Sequence, residues 1–303
     1  MGVTLGEGST PLVRAERLSK RLGVELHLKL EGSNPTGSFK DRGMAVAVGR
    51  AAERGAHTVV CASTGNTAAS AAAYAARAGL TAVVLTPSGA TAGPKRAQAR
   101  AAGARVVEIR GTFDDALRLC RELGAREGFV LVNSVNPDRV EGQKSVVREI
   151  VEQLGAVPDV VALPFGGGGN GSAVAAALDE LGASPRVVLG QAADRPGTYA
   201  SAIRIGEPAH AETIVALADA GRVEVATLTD DELTRAWRAL ATEEGVFCEP
   251  ASAAGVAALE QVGATGTAVA IVTGHGLKDT DAVPDPAVDA VEASIDAVLE
   301  AIA

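Results

Sequence analysis

The sequence predicts an α/β fold in which a parallel sheet is covered by helices on both faces, and three observations point there. Short β-branched runs alternate with Ala-rich stretches of helical length over most of the 303 residues. Polar residues collect in the loops that follow these runs, where open α/β sheets bind their ligands. The composition, 47% hydrophobic and 21% charged, supplies a large core and excludes a disordered, collagenous or coiled-coil chain. The length allows two domains. No Pro/Ser-rich linker, charge run or internal repeat divides the chain, so two domains would be joined by strand-to-helix crossovers.

In chain order, Glu25–Leu30 is the first strand, and EGSNPTGSFKDRG leads from it into a helix over Ser38–Arg54. Thr58–Cys61 is the second strand, followed by ASTGNT and an Ala-rich helix over Thr67–Ala78. Strands at Ala82–Leu85 and Arg105–Glu108 flank a helix over Gly93–Ala102. The helix over Asp114–Glu127 has Asp114 as its expected cap, and the strand Val130–Val132 and a helix over Val140–Leu154 follow. Val160–Ala162 is a strand that runs into LPFGGGGNGS and a helix over Gly171–Leu181, and Val187–Leu189 is the next strand. Helices over Asp230–Glu243, with Asp230 as its expected cap, and Ser252–Val262 precede the strand Ala268–Val272, the loop TGHGLKD and a last helix over Val288–Ala301. Acidic residues in the first turns oppose the positive helix ends.

Charge and composition narrow the function. A net charge of −9 repels nucleic-acid phosphates and anionic lipid headgroups. With 3% aromatic residues and Trp237 alone of its kind, the chain lacks base-stacking platforms and an interfacial belt. Cys61, Cys120 and Cys248 are too few and too scattered for a disulfide framework or a cysteine-rich metal site, which fits a reducing compartment. The first residues lack the basic head and apolar core of a secretory signal, and Gly6 stands where myristoylation expects Ser or Thr. The uncharged stretch Gly55–Ala76 is built of small residues and broken by Gly65-Asn66, so it reads as a strand, a loop and a buried helix rather than a membrane span. These features place the protein in the cytoplasm, with no nucleic-acid or membrane partner and no metal.

Two loops carry chemistry on their own terms. Gly166, Gly167, Gly168 and Gly169 with Asn170 follow a strand and open a helix, an arrangement whose backbone N–H groups can cradle a phosphate. The dinucleotide fingerprint and the G-K-[S/T] of a triphosphate site are both absent. Lys40 stands at a helix start, where a cation opposes the macrodipole, so its placement does not serve helix stability. A desolvated lysine there would have the lowered proton affinity of an amine that forms a Schiff base; taken alone, it also reads as a solvated surface residue.

Together NPTGSFKDRG, STGNT, the Gly-rich loop and TGHGLKD resemble the fold-type II pyridoxal-phosphate enzymes, and in detail the threonine synthases. FKDRG, NSVNPDRVEGQKS and CEPASAA point the same way, and the resemblance runs from EGSTP to TGHGLKD. It implies two open twisted, mostly parallel sheets flanked by helices, with a small mobile domain over residues 46–139 and a large cofactor-binding domain formed by 1–45 and 140–303. It implies pyridoxal 5'-phosphate as cofactor, a homodimer, and conversion of O-phosphohomoserine and water to threonine and phosphate.

Lys40 matches the lysine that holds the cofactor covalently and shuttles protons at Cα and Cβ. Asn66 matches the asparagine on the cofactor's phenolic oxygen, and Ser63, Thr64 and Thr67 the loop for the substrate's α-carboxylate. The glycines 166 to 169 with Asn170 match the cofactor-phosphate loop, and Thr273 the hydroxyl facing the pyridine nitrogen. Asn133, Ser134 and Arg139 match residues that hold the substrate phosphate, with Lys95 a further candidate for that anion. Each has a structural alternative: Asn66 and Thr67 as helix caps, Arg139 as a surface partner of Asp138 or Glu141, Thr273 as an ordinary buried hydroxyl. His275 is expected to be structural.

Two departures stand out. Gly167 occupies a position where threonine synthases commonly carry a polar side chain, and both the Gln191–Ile203 stretch and the N-terminus ahead of Glu7 are short for the family. They leave open a β-replacement or β-elimination enzyme acting on O-phosphoserine, similar to cysteate synthase, and a catalytically silent ligand-binding homologue.

Overall fold

The computed structural model describes residues 2–89, 93–283 and 290–302. Strands lie at Leu12–Arg14 (β1), Glu25–Leu30 (β2), Thr58–Ala62 (β3), Thr81–Pro87 (β4), Arg105–Ile109 (β5), Phe129–Leu131 (β6), Val160–Pro164 (β7), Arg186–Ala192 (β8), Glu224–Leu228 (β9) and Thr267–Val272 (β10). Helices lie at Glu16–Leu22 (α1), Lys40–Glu53 (α2), Asn66–Ala78 (α3), Pro94–Ala101 (α4), Phe113–Gly124 (α5), Pro137–Gln143 (α6), Ser145–Leu154 (α7), Gly169–Glu180 (α8), Ala211–Asp219 (α9), Asp230–Glu244 (α10), Ala254–Gln261 (α11) and Ile295–Ile302 (α12).

The strands form two sheets, a six-stranded one in the order β1-β2-β10-β7-β8-β9 and a four-stranded one in the order β5-β4-β3-β6. Every pairing is parallel except β1 with β2. Helices cover both faces, which is why β3, β7 and β10 read as unbroken apolar runs in the sequence. The two-residue period of each strand sorts side chains between cores: Ala162, Val188 and Ala268 join one, Val161, Leu189 and Val269 the other.

The expected helix boundaries differ in four places. Thr112 and Thr229, not Asp114 and Asp230, are the caps of α5 and α10; each closes a capping box with Asp115 or Glu232, and the expected caps fall in the first turn. The single helix expected over Val140–Leu154 is two, α6 and α7, meeting at Lys144, with Asn136 capping the first ahead of Pro137. The expected start of the last helix, Val288, lies outside the described residues, and α12 begins at Ile295. The short elements β1, α1, β9 and α9 are additions to the sequence reading.

The helix that carries Lys40 is anchored on both sides. Arg42 binds Glu31 (Nε–Oε2 2.6 Å) and Glu149 (Nη1–Oε1 2.6 Å), while buried Lys29 donates to Glu149 at 2.8 Å and to the Thr10 carbonyl at 2.7 Å. Two cations and two carboxylates thus balance one another under α2. On its other side α2 meets α6 at two glycines: a methyl group at Gly43 would stand 2.5 Å from the Arg139 carbonyl oxygen, and one at Gly142 would collide with the Arg42 carbonyl.

Candidate active site

Five loops at the carboxyl ends of parallel strands meet between the two sheets. The loop after β2 joins the one after β10 through the Phe39 N–H on the Thr273 carbonyl at 3.0 Å and the His275 N–H on the Gly37 carbonyl at 3.0 Å. Asn133, after β6, clamps the loop after β3 by donating to the Ala62 carbonyl and accepting from its N–H, both at 2.9 Å. Ser134 in turn reaches the loop after β7: its carbonyl lies 2.8 Å from His210 Nε2, and its hydroxyl is 4.0 Å from where a Gly167 methyl would stand.

Lys40 opens α2 and is partly buried. Its Nζ lies 4.2 Å from the centre of the Phe39 ring, and among the described residues it has no hydrogen-bond or ion-pair partner. Removal from water pulls its pKa down to about 7; the positive Arg139 adds to this, and the Glu249 carboxylate opposes it. The amine is therefore substantially neutral near pH 7, as a nucleophile must be. Asp41, next in sequence, accepts from Thr36 and from Ser70 and ties α2 to the turn before it and to α3.

Arg139 is not the surface residue its alternative required. It is 1% exposed, it pairs with neither Asp138 nor Glu141, and its Nη1 donates to the Val132 carbonyl at 3.0 Å. Asp138 pairs instead with Arg50 and Arg54. Arg139 Nε and Nη2 are buried without partners among the described residues, and burial lowers its pKa to about 10. A buried guanidinium with two free donors and no carboxylate is costly to keep, and an anion is the partner that would offset the cost.

Asn66 does not cap α3. It is the first helical residue, Gly65 holds the cap position, and no side chain caps that end, so the N–H groups of Asn66 and Thr67 have no acceptor among the described residues. Ser63 and Thr64 precede it, with the Ser63 hydroxyl accepting from the Gly65 N–H at 3.0 Å. The result is an open helix N-terminus lined by hydroxyls, a receptor for a carboxylate. The Asn66 amide donates to Glu249 Oε2 at 2.7 Å, and its Oδ1 is buried and unpartnered.

Thr273 follows β10, is 7% exposed, and shares a 3.1 Å hydrogen bond with the Ser252 hydroxyl. Its hydroxyl is bonded to no acid among the described residues, and the Glu249 carboxylate beside the neighbouring Gly274 is committed to Asn66 and Lys95. Lys95 is tied down too: its Nζ lies 2.6 Å from Glu249, 3.4 Å from Asp279 and 3.1 Å from the Ser201 hydroxyl. His275 accepts from the Leu277 N–H through Nδ1 and serves the turn.

The glycine loop is shaped as an anion cradle. Gly168, at φ +86°, adopts a conformation that favours glycine, and α8 starts at the next residue. The N–H groups from Gly166 to Asn170 have no acceptor among the described residues, and Asn170 Nδ2 is buried and unpartnered. Unsatisfied donors converging at a helix N-terminus fit the phosphate of pyridoxal phosphate, and the neutral Lys40 amine fits its aldehyde.

Sequence reasoning passed over Glu249. It is 1% exposed and touches both Asn66 and Lys95. The signal was present: it is the sole charge between Glu244 and Glu260, in a stretch the fold buries.

A fold of two largely parallel sheets with a half-neutral lysine and an anion cradle between them defines a pyridoxal-phosphate enzyme of the fold-type II class. The family model described as "Pyridoxal-phosphate dependent enzyme" matches residues 3–274, and the chain belongs to that family. Among its relatives, the threonine synthase of Mycobacterium tuberculosis is 47% identical over 325 aligned positions, covering 98% of this chain and 90% of that protein. The threonine synthase of Synechocystis sp. is 46% identical over 324 positions, covering 99% and 85%. Among solved structures, O-ureido-L-serine synthase superposes with a TM-score of 0.80 at 22% identity, covering 99% of this chain and 98% of that one, which speaks to the fold alone.

Proposed function

We propose that this chain is a pyridoxal-phosphate-dependent threonine synthase, a lyase that converts O-phosphohomoserine and water to L-threonine and phosphate. Identity near 45% over most of the chain to threonine synthases supports it. The structural observation that carries it is Arg139, buried beside the Lys40 helix with Nε and Nη2 unpartnered.

Lys40 would hold the cofactor covalently, the glycine loop with Asn170 its phosphate, Asn66 its phenolic oxygen, and Thr273 its ring nitrogen. Bound there, pyridoxal phosphate supplies the electron sink for an amino-acid substrate. The chain's own residues do the rest. Ser63, Thr64 and Thr67 with the open end of α3 receive the α-carboxylate and orient Cα. Lys40, about half neutral at pH 7, takes and returns protons at Cα and Cβ. Arg139 and the Ser134 hydroxyl hold the remote phosphate and stabilise it as it departs from Cγ, before water adds at Cβ. Asn133 acts through Ala62 by fixing the carboxylate loop, and Lys95 acts through Glu249 rather than on the substrate.

Residues 46–139 act in this reading as a small mobile domain that closes over 1–45 and 140–303. We place the enzyme in the cytoplasm as a homodimer; among the described residues no helix is long and apolar enough to cross a membrane. The test offers O-phosphohomoserine and O-phosphoserine to the holoenzyme, with phosphate release and the amino-acid product measured together. Threonine from O-phosphohomoserine is expected. A better reaction with O-phosphoserine, or no threonine, would sink the proposal and favour a β-replacement enzyme that the bare Gly167 accommodates.

A further inference from the structure

The carbonyls of Gly166, Gly167 and Gly168 are each held by a donor, and the donors are not alike. The Gly167 carbonyl accepts from the backbone N–H of His210 at 3.0 Å, and the Gly168 carbonyl from the Ser172 N–H at 2.9 Å and the Ser172 hydroxyl at 3.1 Å. The Gly166 carbonyl depends on the Arg195 side chain, whose Nη1 donates to it at 3.2 Å and to the Ile205 carbonyl at 3.3 Å. Within a trans peptide the C=O and N–H point in opposite directions, so a donor on the Gly166 oxygen turns the Gly167 N–H toward the opposite side. The N–H groups from Gly166 to Asn170 and the buried Asn170 Nδ2 have no acceptor among the described residues.

The guanidinium is itself immobilised. Gln191 Oε1 accepts from its Nε at 3.2 Å and its Nη2 at 2.6 Å, and the group sits 4.3 Å above the centre of the Phe165 ring, the residue before the loop. No carboxylate pairs with it among the described residues, and burial lowers its pKa with no acid opposing. A cation fixed against a loop of free N–H groups, with its charge left uncancelled, favours an anion on the loop's far face.

We propose that Arg195 is the positioning residue of the cofactor-phosphate site: it sets the Gly166–Gly167 peptide with its N–H toward the phosphate and adds positive charge behind the loop. It lies in the loop that follows β8. The inference rests on the reading that the glycine loop takes the cofactor's phosphate.

The test measures the affinity of cofactor-stripped protein for pyridoxal phosphate and for pyridoxal, which lacks the phosphate, with circular dichroism and melting to check folding. Wild-type protein prefers pyridoxal phosphate. Arg195→Met lowers affinity for pyridoxal phosphate roughly ten-fold and leaves that for pyridoxal unchanged, the scale of one charge-assisted hydrogen bond. Arg195→Lys, which keeps the charge but cannot hold both carbonyls and Gln191, gives an intermediate loss, and it carries the test if the Met variant does not fold. An unchanged ratio of the two affinities in either variant, or an equal loss for both ligands, overturns the proposal. A wild-type protein without preference for the phosphate overturns the loop reading itself, and the proposal with it.

Discussion

Lys95 Nζ lies 2.6 Å from Glu249 Oε1, so a helix packed on the four-stranded sheet grips a buried carboxylate carried by the loop before α11. Lys278 makes a second tie to the same helix by donating to Gln98 Oε1 at 2.6 Å while holding the Thr36 carbonyl. Glu249 therefore joins the two halves of the cleft and, through its field, bears on Lys40.

That field makes a pH prediction. Lys40, lowered to about 7, is protonated and inert below that pH and nucleophilic above it. Covalent uptake of pyridoxal phosphate by cofactor-stripped protein should accelerate up to about pH 7 and then level, with no further climb toward the 10.5 of a free lysine. Glu249 raises the Lys40 pKa, so Glu249→Gln should move the midpoint to lower pH. A stopped-flow series across pH reads this, and an alkaline shift would contradict it. Lys40→Ala should abolish the visible absorption of the bound cofactor and reduce turnover by several orders of magnitude.

Arg139→Leu separates function from stability. Loss of a charged hydrogen bond to the substrate phosphate is worth about 1.5–3 kcal/mol, so kcat/KM for O-phosphohomoserine should fall roughly ten- to a hundred-fold. The same change removes a buried cation with two unpartnered nitrogens, so the melting temperature of the cofactor-free protein should not fall. Kinetics and calorimetry on one variant decide both, and a large loss of stability would mean that Arg139 is a structural brace.

Stability should respond to acid through Glu149. Burial alone would raise its pKa, but hydrogen bonds from Arg42 and Lys29 outweigh it and hold the group at about 2, against 4.5 when free. A depressed carboxylate stabilises the fold above its unfolded value and loses that contribution as pH falls from 4.5 through 2. Denaturant titrations should show this decline in wild type and a flatter one in Glu149→Gln. Arg42→Met, which leaves the buried Glu31 without its cation and Glu149 with Lys29 alone, should cost about 3–5 kcal/mol.

Thr273→Asp places a carboxylate where the fold now offers a hydroxyl bonded to Ser252. An acid facing the ring nitrogen would keep it protonated, so the absorption spectrum of the holoenzyme and its product distribution should both change. An identical spectrum would place the ring elsewhere.

Much of this site was legible because its chemistry is local. A run such as Gly166–Asn170 after a strand suggests an anion cradle within ten residues, whereas Lys40 drew its reading from NPTGSFKDRG and the motifs that accompany it. The central strands β3, β7 and β10 were legible because burial on both faces leaves them apolar throughout, whereas the short, partly exposed β1 and β9 carry no such run. What escaped is tertiary. Glu249 meets Asn66 across 183 positions of sequence, and Arg195 reaches the loop from 29 away, distances over which no local pattern reports. Thr112 and Thr229 were missed for a nearer reason: the acidic residues beside them also suit a helix start, and the capping geometry chose the hydroxyl.

The glycines at the crossing of α2 and α6 make the separation of Lys40 from Arg139 a property of main chain rather than side chain. At Gly43 the limit is the Arg139 carbonyl, and at Gly142 it is the Arg42 carbonyl. The helix bearing the amine and the helix bearing the guanidinium thus act as a caliper, whose jaws in the proposed function face the substrate's amino end and its leaving group. A single methyl group added at Gly43 would open the jaws without altering either functional residue, and the enzyme would then measure out a longer molecule.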